Sequence, residues 1–135
     1  MSCASLIGCS AGTCCSVISL ISGYSLITSS NLLTANPDKD SITAVFAAWD
    51  EPAIGAAKAL QEAGRDEVIV TGVDGNEQAV EMIKDGTNLK ETVKQNFEGM
   101  AGIVCEQMEK YFDGEEIEKG EMYAPAELIT QENAQ

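Results

Sequence analysis

From Ser41 onward the chain alternates short apolar runs with longer amphipathic stretches, and that alternation restricts its fold more than any other feature. "SITAVFAA", Ser41 to Ala48, and "EVIVTGVD", Glu67 to Asp74, are rich in β-branched residues and of strand length, so both are expected as buried strands. "LKETVKQ", Leu89 to Gln95, alternates more strictly and is expected as a third, partly exposed strand. Between the first two runs, Glu51 to Ala63 places Ile54, Ala57 and Leu60 at helical spacing. Asp50 is the expected N-cap of that helix, Glu51 favours its positive end, Pro52 fits its first turn and Gly64 stands just past its end. A second helix opens at "GN", shows one apolar face of Ala79, Val80, Met82 and Ile83, and stops at Asp85-Gly86. A longer helix is expected from about Phe97 to Phe112. Its stripe of Met100, Ile103, Val104, Met108, Tyr111 and Phe112 should face a core, with Cys105 inert beside it. At the two ends, "SNLLTANPD" closes a helix before Pro37, and "EMYAPAELIT" is a last extended segment whose Pro125 suits an edge or crossing strand.

Strand followed by helix, repeated, predicts the α/β class: a three-layer, open, mostly parallel sheet with helices on both faces and right-handed crossovers. In such sheets ligands bind beyond the carboxyl ends of the strands. Trp49 and Asp50 after the first strand, Asp74 after the second and Gln95 after the third fall at that edge, and these four are the candidate ligand-binding residues. Each has a structural alternative. The Asp74 carboxylate can accept strong hydrogen bonds from ligand hydroxyls, or it can close an Asx-turn. Gln95 offers both donors and acceptors, or is a surface amide. Trp49 can stack on the C–H face of a sugar ring or fill a core, and Asp50 is a cap first and a contact second.

Composition narrows the function. The chain has 135 residues, room for one ordinary domain, and a hydrophobic fraction of 44%, which is that of a globular protein. Its 22 acidic residues outnumber 8 basic ones for a net charge of −14, which argues against a nucleic-acid partner because phosphate contacts need Lys and Arg. The absence of histidine rules out Ser-His and Cys-His pairs and the usual imidazole metal ligand. No phosphate-cradling GxxxxGK[ST] stretch occurs. Asp50 and Asp74 could pair as glycosidase acids only in principle, since nothing in their spacing favours that over capping and binding. No catalytic residue, metal site or cofactor is therefore expected.

The charge is unevenly placed, for no charged side chain precedes Asp38. Residues 1–30 form an uncharged Ser- and Cys-rich segment read as lying outside the core, and 31–135 as the folded lobe. The apolar run "CCSVISLISGYSLI" has the length of an export-signal core, but no Lys or Arg precedes it, so it is not a convincing export signal. Cys3, Cys9, Cys14 and Cys15 lack the CxxC spacing of a metal or redox site, and the segment is too interrupted to span a membrane.

Taken together, "LLTANPD", "AVFAAWDEPAIGAAKALQEAG", "VIVTGVDG", "AVEMIKDG", "ETVKQN" and "AELITQEN" closely resemble the C-terminal lobe of ribose-type periplasmic sugar-binding proteins, the substrate-binding components of ABC sugar transporters. The resemblance runs in continuous order from about Asn31 to Asn133. It implies a single lobe of a periplasmic binding protein-like fold, truncated, with no counterpart of the other lobe. It implies that Asp74, in "VDG", accepts bonds from ligand hydroxyls and that Gln95, in "TVKQ", contacts the sugar. The position before the acidic pair is often Asn in that family and touches ligand. Here it is Trp49, which by the resemblance faces the cleft.

The expected function is binding of a monosaccharide as part of an ABC importer, with permease and ATPase as partners supplied by other chains and with the periplasm or cell envelope as location. No enzymatic activity is expected. A lone lobe presents half a site, so binding should be weak, and an uncovered face could pair two copies into a homodimer. The competing readings are the effector lobe of a sugar-responsive transcription regulator and a folded remnant without ligand.

Overall fold

The computed structural model of the chain describes residues 4–8, 16–20 and 25–134. Cys3, Cys9, Cys14 and Cys15, and with them the thiol-site reading, lie outside those residues. Two strands come first, β1 (Ala4–Gly8) and β2 (Ser16–Leu20), then α1 (Ser25–Ala35), β3 (Ala44–Ala47) and α2 (Asp50–Glu62). They are followed by β4 (Ile69–Asp74), α3 (Glu77–Lys84), β5 (Leu89–Lys94), α4 (Phe97–Phe112) and β6 (Glu127–Thr130). The sheet runs in the order β1-β2-β3-β4-β5-β6. β2, β3, β4 and β5 pair in parallel, while β1 runs antiparallel to β2. An open, mostly parallel sheet with helices is the α/β class that the alternating pattern predicts. The segment read as lying outside the core supplies β1 and β2 to this sheet, while the described core side chains begin at Ile42.

The chain divides into two compact units, one running up to Lys94 and resuming at Leu128, the other spanning Gln95–Glu127. In the first, α2 packs on β3, β4 and β5, with α1 and α3 against it. Small side chains make that closeness possible: Ala53, Ala56 and Ala57 are all but fully buried, so the helix axis lies near the strands. Leu60 fills the larger gap, and burying a side chain of its size contributes about 1.5–3 kcal/mol. Strand alternation sets the two faces of β3, where Val45 and Ala47 are buried and Phe46 between them is 45% exposed.

Helix ends follow from local chemistry. α1 stops before Pro37, where the Asn36 amide and side chain both donate to the Leu32 carbonyl, at 3.0 and 2.9 Å. Arg65, buried after α2, clasps the segment between α1 and β3: Nη2 donates to the Lys39 carbonyl at 2.7 Å and Nη1 to the Asn36 carbonyl at 3.3 Å, while Nε donates to Glu67 at 2.5 Å. Asn88, also buried, donates to the carbonyls of Arg65 and Val68 at 2.9 and 2.8 Å. These bonds satisfy backbone groups that the core would otherwise leave unpaired.

The β4–β5 ladder contains one irregularity, between Val70 and Thr71, where Val70 pairs Leu89 but Thr71 pairs Glu91. Lys90 is the extra residue on β5.

The second unit consists of α4 and the irregular chain after it. Asn96 caps α4, its side chain accepting from the Gly99 amide at 2.8 Å, and Lys110 pairs with Glu106 one turn earlier at 2.6 Å. The expectation that its apolar stripe faces a core is corrected here. α4 has no buried residue, with Val104 57% and Tyr111 65% exposed, and Cys105 is likewise exposed rather than core. A single helix has no second layer within its own unit against which to bury a stripe.

Candidate functional site

The carboxyl ends of β3, β4 and β5 gather the polar residues that the alternation placed there. β3 ends at Ala47, and Trp49, half-buried, holds an extended backbone with φ of −154° and ψ of 171°. That makes Trp49 the half-turn residue at the start of α2, and Asp50 the first helical residue. The expected N-cap role of Asp50 is thereby corrected, because no side chain caps α2 at that position. The helix starts at Asp50, one residue before the expected Glu51, and the acids Asp50 and Glu51 both lie in the first turn, where negative charge is favoured.

The Asp50 side chain leaves its own helix and lies fully buried. Its Oδ1 accepts from the Thr92 hydroxyl at 2.6 Å and its Oδ2 from the Asn76 amide at 2.8 Å. One carboxylate on α2 thus holds a side chain of β5 and the backbone just after β4. Burial pushes the Asp50 carboxyl above its ordinary range, against the pull of the bonds from Thr92 and the Asn76 amide and of the Gly75 amide nearby, and the nearby charge of Asp74 adds to the rise. Gly72 makes the arrangement possible, since a Cβ at that position would collide with Asp50 Oδ1 and stand 3.1 Å from the Ala53 Cβ.

Asp74 ends β4, where "EVIVTGVD" predicts, and is half-buried. Its φ is +127°, the one positive value among described non-glycine residues. Backbone strain of this kind costs of order 1–3 kcal/mol and persists only where the surroundings hold it. Gly75 follows with φ of +75°, and a Cβ there would come within 2.6 Å of Lys94. Its amide donates to the Thr92 hydroxyl at 3.3 Å. Asn76 then caps α3 through its side chain, accepting from the Ala79 amide at 2.8 Å. Gln95 follows Lys94 directly in the chain and is the first residue of the second unit.

The sequence pattern opens α3 at Gly75-Asn76 but singles out neither Thr92 nor Gly72. A glycine inside an apolar strand signals a close approach by another group, and Gly72 in "VIVTGVD" is one.

Residues 28–116 match the family described as a periplasmic binding protein domain. The chain belongs to the periplasmic binding protein family. Among curated relatives of this domain, the ribose import binding protein RbsB of Bacillus subtilis is 40% identical over 101 residues, covering 75% of this chain and 31% of the relative. RbsB of Salmonella typhimurium is 41% identical over 88 residues, or 65% of this chain and 28% of the relative. Among solved structures, an ABC sugar transporter subunit from Rhodobacter sphaeroides superposes with a TM-score of 0.74 at 33% identity, covering 82% of this chain and 39% of that one. An ABC transporter solute binding protein from Agrobacterium vitis with bound allitol gives 0.76 at 28% identity, covering 82% and 38%. This periplasmic binding protein domain spans only 28% to 31% of the length of the two curated relatives. No described helix of the domain is long and apolar enough to cross a membrane.

Proposed function

We propose that this chain binds a monosaccharide as part of the substrate-binding component of an ABC sugar importer. The observation that carries the reading is Asp74. A carboxylate at the carboxyl end of a central parallel strand, half exposed and kept in a strained conformation, is suited to accept bonds from ligand hydroxyls. Strain at a ligand-facing edge is a recurrent mark of a functional position. Trp49, at the end of the neighbouring strand, offers an aromatic face to the C–H side of a sugar ring. Gln95 supplies the amide contact that the family resemblance implies. Relatives named as ribose import binding proteins and a solved neighbour with bound allitol support a small polyhydroxylated ligand. The role is binding rather than catalysis, in the periplasm or cell envelope, with delivery to a permease driven by an ATPase.

The test is a fluorescence titration of the full chain with D-ribose, D-galactose, D-glucose and D-xylose. Trp49 is the only tryptophan, so the signal reports on the proposed edge. A saturable change with one sugar that disappears in Asp74→Ala is expected. A folded protein whose fluorescence responds to none of the four overturns the reading.

A further inference from the structure

Asp50 begins α2, yet its carboxylate ends among groups contributed by β5 and by the turn after β4. It reaches the Asn76 amide directly at 2.8 Å. It reaches the Gly75 amide through Thr92, whose hydroxyl donates to Asp50 at 2.6 Å while accepting from Gly75 at 3.3 Å. Both amides that follow Asp74 are therefore tied to one buried group. Asp74 itself holds a φ of +127°, which an L residue abandons unless its neighbours fix it. Packing closes the other exits: Gly72 has no Cβ in the space of the carboxylate, and Gly75 rests against Lys94. With 0% of its surface exposed, Asp50 offers nothing for a dissolved ligand to touch.

We infer that Asp50 is a positioning residue, which through Thr92 and the Gly75 and Asn76 amides holds Asp74 in its strained conformation at the sheet edge without itself meeting the ligand. The inference rests on the reading of Asp74 as the sugar-binding carboxylate. A buried acid that merely stabilises the core would act on all of the first unit alike, whereas a positioning acid acts first on one turn. The two are separable because the turn has its own backbone reporters.

The experiment is amide hydrogen exchange of the full chain, read residue by residue by NMR, for the native sequence, Asp50→Ala and Asp50→Asn. Asp50→Ala is expected to speed exchange at Gly75 and Asn76 by about tenfold to a hundredfold, the range for one lost buried hydrogen bond. The amides of Leu60 and Val70 should change far less. Asp50→Asn keeps an acceptor for the Asn76 amide and should restore most of the protection. Equal acceleration at all four amides, or unchanged exchange at Gly75 and Asn76, overturns the inference. If Asp50→Ala does not fold, Thr92→Val, which keeps the side-chain shape and removes the hydroxyl, takes its place. It should speed exchange at Gly75 more than at Asn76, and equal effects overturn the inference. The same variants are titrated with the four sugars. Where the native chain binds one of them, Asp50→Ala should weaken it about tenfold or more, with recovery in Asp50→Asn, and undiminished binding by Asp50→Ala overturns the positioning role. A native chain that binds none of the four overturns the sugar reading alone, since the exchange result is obtained without ligand.

Discussion

The Oδ1 atom of Asp50 occupies the space into which any residue other than glycine at position 72 would place its Cβ, so Gly72 and Asp50 specify one another across the interface of β4 with α2. A methyl group at position 72 has to displace either the carboxylate or the Ala53 methyl, 3.1 Å away. Overpacking of this sort costs about 1–3 kcal/mol. Gly72→Ala is expected to lower the unfolding free energy by that much, read as a lower urea midpoint with an unchanged slope. An unchanged midpoint would mean that the carboxylate moves aside freely.

The raised Asp50 carboxyl fixes the sign of a pH effect. Because burial lifts its pKa in the folded chain, the fold holds that proton to higher pH than the unfolded chain does. The stabilisation this supplies is fully present below the ordinary carboxylate pKa and is lost as pH rises through the raised one. Glu67, lowered chiefly by its hydrogen bond from Arg65, and Glu106, lowered by that from Lys110, act in the opposite direction. The prediction is therefore stated as a difference: the stability of the native chain minus that of Asp50→Asn should shrink as pH is raised from about 4 towards neutrality. Urea unfolding at a series of pH values measures it, and a difference that grows with pH contradicts the assignment.

Arg65 should not tolerate lysine. Its guanidinium serves two backbone carbonyls and Glu67 at once, and a single ammonium cannot reproduce that fork. Arg65→Ala and Arg65→Lys are both expected to destabilise the first unit, by about 1–3 kcal/mol for the alanine variant. Glu67→Gln, at the more exposed end of the pair, should change stability far less than Arg65→Ala does. Thermal unfolding of the three variants checks the ranking.

Asn76→Ala removes the side chain that caps α3 while keeping the amide that donates to Asp50. The loss of a cap of this kind is typically about 1 kcal/mol. The variant should therefore lower stability by that amount and leave the fluorescence response to sugar largely intact. A larger loss of binding than of stability would show that the cap also shapes the ligand edge.

The elements were legible where a single periodicity dominates. The limits of α4, Phe97 to Phe112, follow directly from its helical spacing, and β4 ends at Asp74 as its apolar run does. Burial of the α4 stripe was not legible, because a period says which residues share a face and not what that face meets. The start of α2 was missed by one residue, since sequence alone does not say whether Trp49 or Asp50 makes the half-turn. The position of the candidate edge was readable from strand ends. The link from Asp50 to Thr92 was not, because it joins residues 42 apart and depends on the empty space above Gly72.

The extra residue at Lys90 has a consequence for how β5 can change. Leu89 and Thr92 are three apart yet both fully buried, as are their partners Val70 and Gly72 only two apart on β4. Strand residues alternate sides, so the bulge that keeps the extra residue out of the ladder is what leaves Thr92 on the inward face, within reach of Asp50. Removal of the extra residue would leave Leu89 and Thr92 two apart, the regular spacing that Val70 and Gly72 already have, and keep both inward, whereas removal of a second would turn the threonine hydroxyl away. Among changes of length, then, loss of the single bulged residue is the one that the alternation itself permits in this stretch, because it would leave a regular ladder with Thr92 still facing inward.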